Sequence, residues 1–333
     1  MAGWNPFDEQ KLQSQVKSQR RHAWHLEDSI SWGGGIDLTR SFLPLDADAI
    51  AFPGASGEQR LALSQWLGLV INSMIAETES VINKMRDPAW ARVLRSYPIN
   101  PEMEELGVLF FEEEEKHSLA FRRFNDLFCE QMGLSPDLVE KLLPKTWGSW
   151  YLHTILKNSE AGGGAFWWTV ATVEEVSIQL YKELHRSKEL VDPLYHELHL
   201  RHLEEESRHR NYAFLMLELM GRARGGMKQA LLAKTDLLTA QCFTSGWVLA
   251  ELQKFFRVRE LRGVHPFFET LASCIPLFDS LSWPSVIHRL FVSAPYLSVL
   301  LNTRHHTQTL LEAQRLGVFG IPYPQPSLTL TAV

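Results

Sequence analysis

The chain has 333 residues, of which 45% are hydrophobic and 22% are charged, as expected for a globular protein with a substantial core. Its net charge of −6 comes without a dense basic cluster, which argues against nucleic acid or a membrane as a partner. Three cysteines are too few for a disulfide framework and favour a reducing compartment. No apolar run reaches the roughly 18 residues of a transmembrane helix, so we predict a cytoplasmic protein.

Apolar residues recur at helical spacing along most of the chain, which predicts an all-α fold. Residues 1–60 form an irregular arm with a short helix near residues 8–27, interrupted by glycines and prolines. Helices are predicted at about 58–87, 101–132, 136–143, 165–187, 193–219, 227–258, 266–275 and 283–315, before an extended tail. We assign residues 61–222 to a four-helix core and residues 223–333 to additional helices and the tail of the same domain.

Two of these helices contain Glu-x-x-His, at Glu114 to His117 and at Glu206 to His209. Residues three apart lie on one helix face, so each segment can direct a carboxylate and an imidazole to one point. One such segment is weak evidence, because glutamates on charged helices often form solvated ion pairs. Two copies on separate long helices favour a metal site that needs two further carboxylates.

The helix at 165–187 offers two adjacent glutamates as a third source of ligands. Glu174 shares its face with Trp167 and Ile178, where an unpaired carboxylate would be costly to bury. Glu175 shares its face with polar residues and is expected at the surface. We therefore predict that Glu174 is the ligand.

The first long helix offers Glu77 and Glu79. Glu77 lies at the edge of the apolar face, beside Val70 and Met74, whereas Glu79 lies with polar residues such as Asn72. This pattern favours Glu77 as the ligand and leaves Glu79 as the alternative.

The six candidate ligands thus lie on four helices, and His202 is a seventh candidate. His202 falls with Glu206 and His209 within an arc of about 60° on a helix. Oxygen-rich ligands with imidazole suit iron or manganese, whereas structural zinc sites use cysteine and histidine. The pattern predicts a ferritin-like four-helix bundle with additional C-terminal helices. The predicted ligands are Glu77, Glu114, His117, Glu174, His202, Glu206 and His209.

This ligand set resembles that of the ferritin-like di-iron carboxylate superfamily, over about residues 60–220. The fragment from Met74 to Glu77 looks like the first-ligand segment of acyl-carrier-protein desaturases, whereas the family spacing to Glu114 fits Glu79 better. The segment His-x-x-x-Glu-x-x-His, from His202 to His209, is similar to the p-aminobenzoate N-oxygenase family. In that family a third histidine binds the di-iron site and an arylamine is oxidised to a nitroarene.

The resemblance implies an enzyme with two iron ions and O2 as co-substrate, which N-oxygenates an amine through a peroxo intermediate. A di-iron C–H hydroxylase or desaturase is the alternative, and a non-enzymatic iron-binding bundle is a further one. Because no Gly-x-Gly-x-x-Gly motif follows a strand, electrons are expected from an external ferredoxin or flavin reductase.

Residues near the ligands in sequence are candidates for a substrate pocket, although a plain core role is the simpler interpretation of each aromatic residue. A homodimer is also compatible with the sequence. The candidate substrate-binding residues are Phe110, Phe121, Trp167 and Ile178.

Overall fold

The computed structural model describes residues 8–43, 54–96, 99–143, 164–224, 255–279 and 307–316. Within them no strand is present, and a single bridge joins Ser41 to Val191. The α-helices are α1 (Glu9–His22), α2 (Gly57–Lys84), α3 (Arg92–Ser96), α4 (Pro101–Met132), α5 (Pro136–Leu142), α6 (Gly164–Arg186), α7 (Pro193–Arg224), α8 (Pro266–Cys274), α9 (Pro276–Asp279) and α10 (Thr307–Arg315). Short 3-10 helices span Trp32–Gly34 and Phe255–Leu261, and a π-helical turn spans Arg86–Ala91.

The four longest of the described helices pack together as two pairs. Helix α2 packs on α4, α6 packs on α7, and the two pairs meet where α4 contacts α7. Both Glu-x-x-His segments therefore lie on the two helices that join the pairs. The predicted all-α fold with a four-helix core is confirmed.

The ends of these helices follow local sequence. Helix α4 begins with Pro101 at its first position and ends at Gly133, which adopts the left-handed conformation at φ 67°. At α2, Ser56 and Gln59 form a reciprocal capping box. Helix α7 was predicted to end before Gly221 but continues to Arg224, because one glycine costs a helix only about 1 kcal/mol relative to alanine.

The described part of the N-terminal arm, residues 8–43, packs along the bundle. Helix α1 contacts α4 and buries Leu12 and Val16. Beyond it, Trp24 is buried, and Phe42 stacks on Tyr195 of α7 with ring centroids 5.2 Å apart. The arm thereby reaches the two helices that carry the Glu-x-x-His segments.

The described C-terminal parts pack on the outside of the core, with α8 on α2 and α10 on α6. The predicted helix at 283–315 is described only from residue 307, and that at 227–258 only from residue 255, where the chain is 3-10 helical. The remainder of both, and the tail, lie outside the described residues, and the domain division stays a prediction. None of the described helices combines the length and apolar character needed to cross a membrane.

Candidate metal centre

Seven buried side chains that could bind metal lie close together between the four long helices. In each of two groups, the ligand atoms lie within 4.8 Å of one another. Helix α2 contributes one of them, α4 two, α6 one and α7 three. The first group is Glu79, His117, His202 and Glu206, and the second is Glu114, Glu174 and His209.

Of the two glutamates of α2, the structure brings Glu79 into the first group, whereas Glu77, the predicted ligand, lies outside both groups. Glu77 is partly exposed and accepts a hydrogen bond from Arg122 at 3.3 Å, outside either group, whereas Glu79 is buried in the first group. Helix α2 is buried on most of its circumference, so an apolar stripe does not mark its inward side. Asn72, on the polar stripe with Glu79, is itself fully buried.

The two groups leave several buried ligand atoms without hydrogen-bond partners. His209 Nδ1 lies 2.8 Å from Glu114 Oε1, and His117 Nδ1 lies 3.2 Å from Glu206 Oε1, yet neither pair has hydrogen-bonding geometry. Both oxygens of Glu114 and of Glu206 are buried and unpartnered. Because such groups are costly to bury, lone pairs that converge in this way fit bound cations.

Burial and mutual repulsion act strongly on these carboxyl groups. Burial, together with the charges of Glu114 and Glu206, raises the pKa of Glu79 well above its usual value. The same causes, burial first, raise the pKa of Glu174 well above its usual value. Carboxylates crowded in a dry site require positive charge if all are to be ionised, which a pair of divalent metal ions would supply.

Glu206 lies where the two groups meet. Its Oε1 is 3.0 Å from His202 Nε2 in the first group and 3.5 Å from His209 Nδ1 in the second. A carboxylate within reach of both sets of ligands is suited to bridge two metal ions.

Two further glutamates orient the histidines from outside the groups. His117 Nε2 donates to Glu205 Oε2 at 2.6 Å, and His209 Nε2 donates to Glu113 Oε2 at 2.8 Å. We assign the proton to Nε2 in both rings because a carboxylate only accepts, so the Nδ1 lone pairs point into the site. This carboxylate–histidine arrangement fixes the ring and its tautomer in metal sites.

The two outer glutamates are held by cations and by the arm. Burial alone would raise the pKa of Glu205, but His117 and Lys116 lower it to about 2. Arg208 Nη2 lies between them, 3.5 Å from Glu113 and 3.6 Å from Glu205.

The N-terminal arm adds one hydrogen bond to each outer glutamate. Gln19 Nε2 donates to Glu113 at 2.7 Å, and the Trp24 backbone N–H donates to Glu205 at 3.3 Å. These contacts join the arm to the histidine supports of both groups.

The supporting roles of Glu113 and Glu205 were not predicted from the sequence, although a sequence pattern indicates them. Both copies of the motif are Glu-Glu-x-x-His, and in each the first glutamate supports the histidine of the other copy. The exchange between α4 and α7 requires the two helices to face each other, which a single helix cannot reveal.

The remaining predicted residues are all buried. Phe110 packs against His209 and Phe121 against His202, each with ring centroids 4.9 Å apart. Trp167 contacts Phe110 at 6.0 Å, and Ile178 lies one turn after Glu174 on α6. Whether any of them binds substrate stays a prediction.

Glu175 was expected at the surface, and that expectation is wrong. Its side chain is buried and accepts hydrogen bonds from the backbone N–H groups of Gln308 and Thr309 at 2.7 and 2.8 Å. It therefore caps α10, a long-range role that helical periodicity does not indicate.

The family model described as p-aminobenzoate N-oxygenase AurF matches residues 7–265. No curated protein matches. Among solved structures, a point mutant of an R2-like ligand-binding oxidase with an aerobically reconstituted Mn/Fe cofactor matches at 14% identity and a TM-score of 0.47, covering 91% of this chain and 94% of that one.

Proposed function

This chain belongs to the p-aminobenzoate N-oxygenase family, and from that membership and the site we propose that it N-oxygenates an aromatic amine. The predicted resemblance is confirmed, and with it the class of the enzyme: an oxidoreductase, a ferritin-like di-iron oxygenase that uses O2. The particular amine, the individual ligands and the electron donor are the proposed parts.

We assign one iron ion to each group of side chains. The first group offers two imidazoles and two carboxylates, and the second offers one imidazole and two carboxylates. These nitrogen and oxygen donors include no cysteine and suit iron. Glu206, which approaches both groups, would help to hold both ions.

The position of His202 carries the choice of N-oxygenation. Its Nε2 lies 2.8 Å from Glu79 Oε1 and 3.0 Å from Glu206 Oε1, so it belongs to the first group rather than to the surface. A third histidine ligand is the feature by which the sequence resembles N-oxygenases.

The iron ions would supply the activation of O2 by reduction. The protein holds the imidazoles through Glu113 and Glu205, and the buried phenylalanines beside His202 and His209 exclude water. Phe110, Phe121, Trp167 and Ile178 are the proposed walls for the flat ring of the substrate.

Insertion of one oxygen atom into an N–H bond leaves the second atom to form water, which consumes two electrons and two protons. An external ferredoxin or flavin reductase is the proposed source of these electrons.

The alternative of C–H hydroxylation or desaturation loses the observation that favoured it. That observation was the desaturase-like fragment ending at Glu77, and Glu77 lies outside both groups. We therefore do not propose it as a second function.

The test is to load metal-free protein with Fe(II) under anaerobic conditions, and then to add reductant, isotopically labelled O2 and p-aminobenzoate or aniline. We expect hydroxylamino and nitro products that carry the label, measured by mass spectrometry. His202→Ala should lose most of this product, whereas Glu77→Ala should retain it. The proposal would be contradicted if oxygen were consumed and the labelled oxygen were found on carbon and not on nitrogen.

We also propose a cytosolic homodimer. The buried free thiols of Cys129 and Cys274 are compatible with a reducing compartment. Native mass spectrometry of the full chain tests the dimer, and a monomer at micromolar concentration would contradict it.

A further inference from the structure

The three histidines of the centre differ in the aromatic ring that lies beside them. His209 and His202 each have a phenylalanine edge nearby, with centroids 4.9 Å apart. His117 instead stacks on Trp24, with centroids 5.6 Å apart and planes 10° from parallel. Phenylalanine resists one-electron oxidation, whereas the indole ring is among the most easily oxidised side chains. Trp24 is thus an oxidisable ring in contact with a proposed iron ligand.

A cation covers this indole. Lys116 Nζ lies 4.2 Å from the centroid of the Trp24 ring and also donates to the Trp24 carbonyl oxygen at 3.0 Å. Its hydrogen bond to Glu205, at 2.8 Å, fixes the ammonium in this place. A cation over the face of an indole is attracted to the neutral, electron-rich ring. Removal of an electron would turn that attraction into repulsion, so Lys116 makes the oxidation of Trp24 harder.

The surroundings of the Trp24 indole N–H also make the oxidation of this ring harder. Its Nε1 is buried and has no acceptor among the described residues. By contrast, the indole of Trp32 donates to the carbonyl of Leu26 at 2.7 Å, and that of Trp90 donates to the hydroxyl of Tyr212 at 2.6 Å. An oxidised indole is stabilised when its N–H proton passes to an acceptor. Trp24 has no such acceptor, and the positive charge would stay on the ring beside Lys116.

We propose that Lys116 protects Trp24 from one-electron oxidation by the metal centre, and so keeps the oxidant available for the amine. Without that protection, one electron would leave the indole and reduce the oxidised centre. The ring cation would then add water at carbon, pass a second electron to the oxidised centre and release two protons, which gives hydroxytryptophan. The inference rests on the oxygenase chemistry proposed above, which supplies the oxidant.

The competing interpretation is that Lys116 only neutralises Glu205. Lys116→Gln separates the two roles, because the amide retains a hydrogen-bond donor toward Glu205 but removes the charge above the ring. Lys116→Arg retains the charge and serves as the matched control. Lys116→Met is a second neutral variant, in case the amide is not accommodated.

Each full-length protein is loaded with Fe(II) and given O2 and reductant without amine substrate. The fraction of Trp24 that has gained oxygen is then measured by peptide mass spectrometry. We expect the oxidised fraction of Trp24 to rise about tenfold in Lys116→Gln, because the stronger cation–π contacts are large enough in energy to give a tenfold change in rate. In Lys116→Arg the oxidised fraction should stay near the wild-type value. Trp32, which has Arg123 4.5 Å above its ring, is the internal reference for nonspecific oxidation.

Iron content and oxygen consumption are measured in the same samples. Equal oxidation of Trp24 in wild type and both neutral variants, with oxygen consumption retained, would overturn the inference and leave the proposed function intact. A wild-type protein that binds iron but consumes no O2 would overturn both. Trp24→Phe combined with Lys116→Gln should restore the wild-type level of oxidised tryptophan, and oxidation transferred to Trp32 would count against the inference.

Discussion

At the scale of single residues, the centre depends on which carboxylates point inward. Glu77 and Glu79 are two positions apart on α2, yet one pairs with Arg122 and the other lies among the histidines. Adjacent Glu174 and Glu175 divide in the same way, because one joins the second group of candidate ligands and the other caps α10. A shift of one or two positions therefore separates a candidate ligand from a structural residue.

Glu79→Ala should reduce bound iron from about two ions per chain to about one or fewer, because it removes a carboxylate from the first group. Glu77→Ala is the matched control and should keep the wild-type content. Iron is measured by colorimetric assay after anaerobic loading and desalting. The assignment would be wrong if Glu77→Ala lost iron and Glu79→Ala did not.

Glu205→Gln and Glu113→Gln should each weaken metal binding about 10- to 100-fold, the usual effect of removing a partner that orients a ligating histidine. Competition with a chelator measures the affinity. Exposed Glu112, next to Glu113, provides the control variant Glu112→Gln, which should bind as wild type. Unchanged affinity in both outer variants would show that neither glutamate supports its histidine.

At the scale of helices, the outer elements are attached through buried polar contacts to the helices that carry the candidate ligands. The arm reaches Glu113 and Glu205 through Gln19 and the Trp24 backbone. Helix α10 is held by Glu175, the neighbour of Glu174 on α6. Changes in either outer element can thus be transmitted to the centre through one residue of a core helix.

Glu175→Ala should loosen α10, because it removes the acceptor of the Gln308 and Thr309 N–H groups, and the loss at buried Thr309 costs about 1–3 kcal/mol. Hydrogen exchange of residues 308–315 should accelerate, whereas α4 should keep its protection. Glu183→Ala is the control, because Glu183 lies on α6 like Glu175 but near the more exposed end of that helix. Unchanged exchange in α10 would contradict the capping role.

At the scale of the whole molecule, the bundle buries more carboxyl groups near the site than the neighbouring cationic side chains can neutralise. Glu79 and Glu174 have raised pKa values in the folded protein, first because of burial and then because of neighbouring carboxylates. In the unfolded chain these groups ionise near their ordinary value of 4.5. The metal-free fold therefore holds protons that the unfolded chain releases.

It follows that metal-free protein should lose stability as the pH rises. A raised folded-state pKa contributes stability below the unfolded pKa, and this contribution disappears as the pH passes through the folded value. From about pH 6 to about pH 8 we expect the melting temperature to fall by roughly 3 °C or more, which corresponds to about 1 kcal/mol in a protein of this size.

The opposite contribution, from the lowered pKa values of Glu205 and Glu206, is already complete in that range. Burial also lowers the pKa values of His199 and His202, and their opposing contribution is complete once the pH has passed their ordinary value of 6.5. At His117 and His209 neighbouring glutamates outweigh burial and raise the pKa, which adds to the loss of stability above that pH. Fe(II)-loaded protein should lose this dependence, because metal ligands release their protons. Scanning calorimetry of both forms measures it, and a metal-free melting temperature that rises with pH would contradict the prediction.

The sequence by itself determined the four long helices of the core and the types of residue in the candidate site. The periodicity, Pro101 and Gly133 set the limits of α4 because these are local properties of the chain. The repeated Glu-x-x-His segments and His202 indicated a di-iron oxygenase, because helical spacing places those groups on one face.

Only the tertiary structure decided which side of α2 faces the centre, because a helix buried on most of its circumference has no solvent side to orient it. It also decided the partners that are far apart in sequence. Glu205 supports His117 on another helix, and the arm places Trp24 beside that histidine. Such contacts depend on how helices pack, and the spacing of residues along one helix carries no information about them.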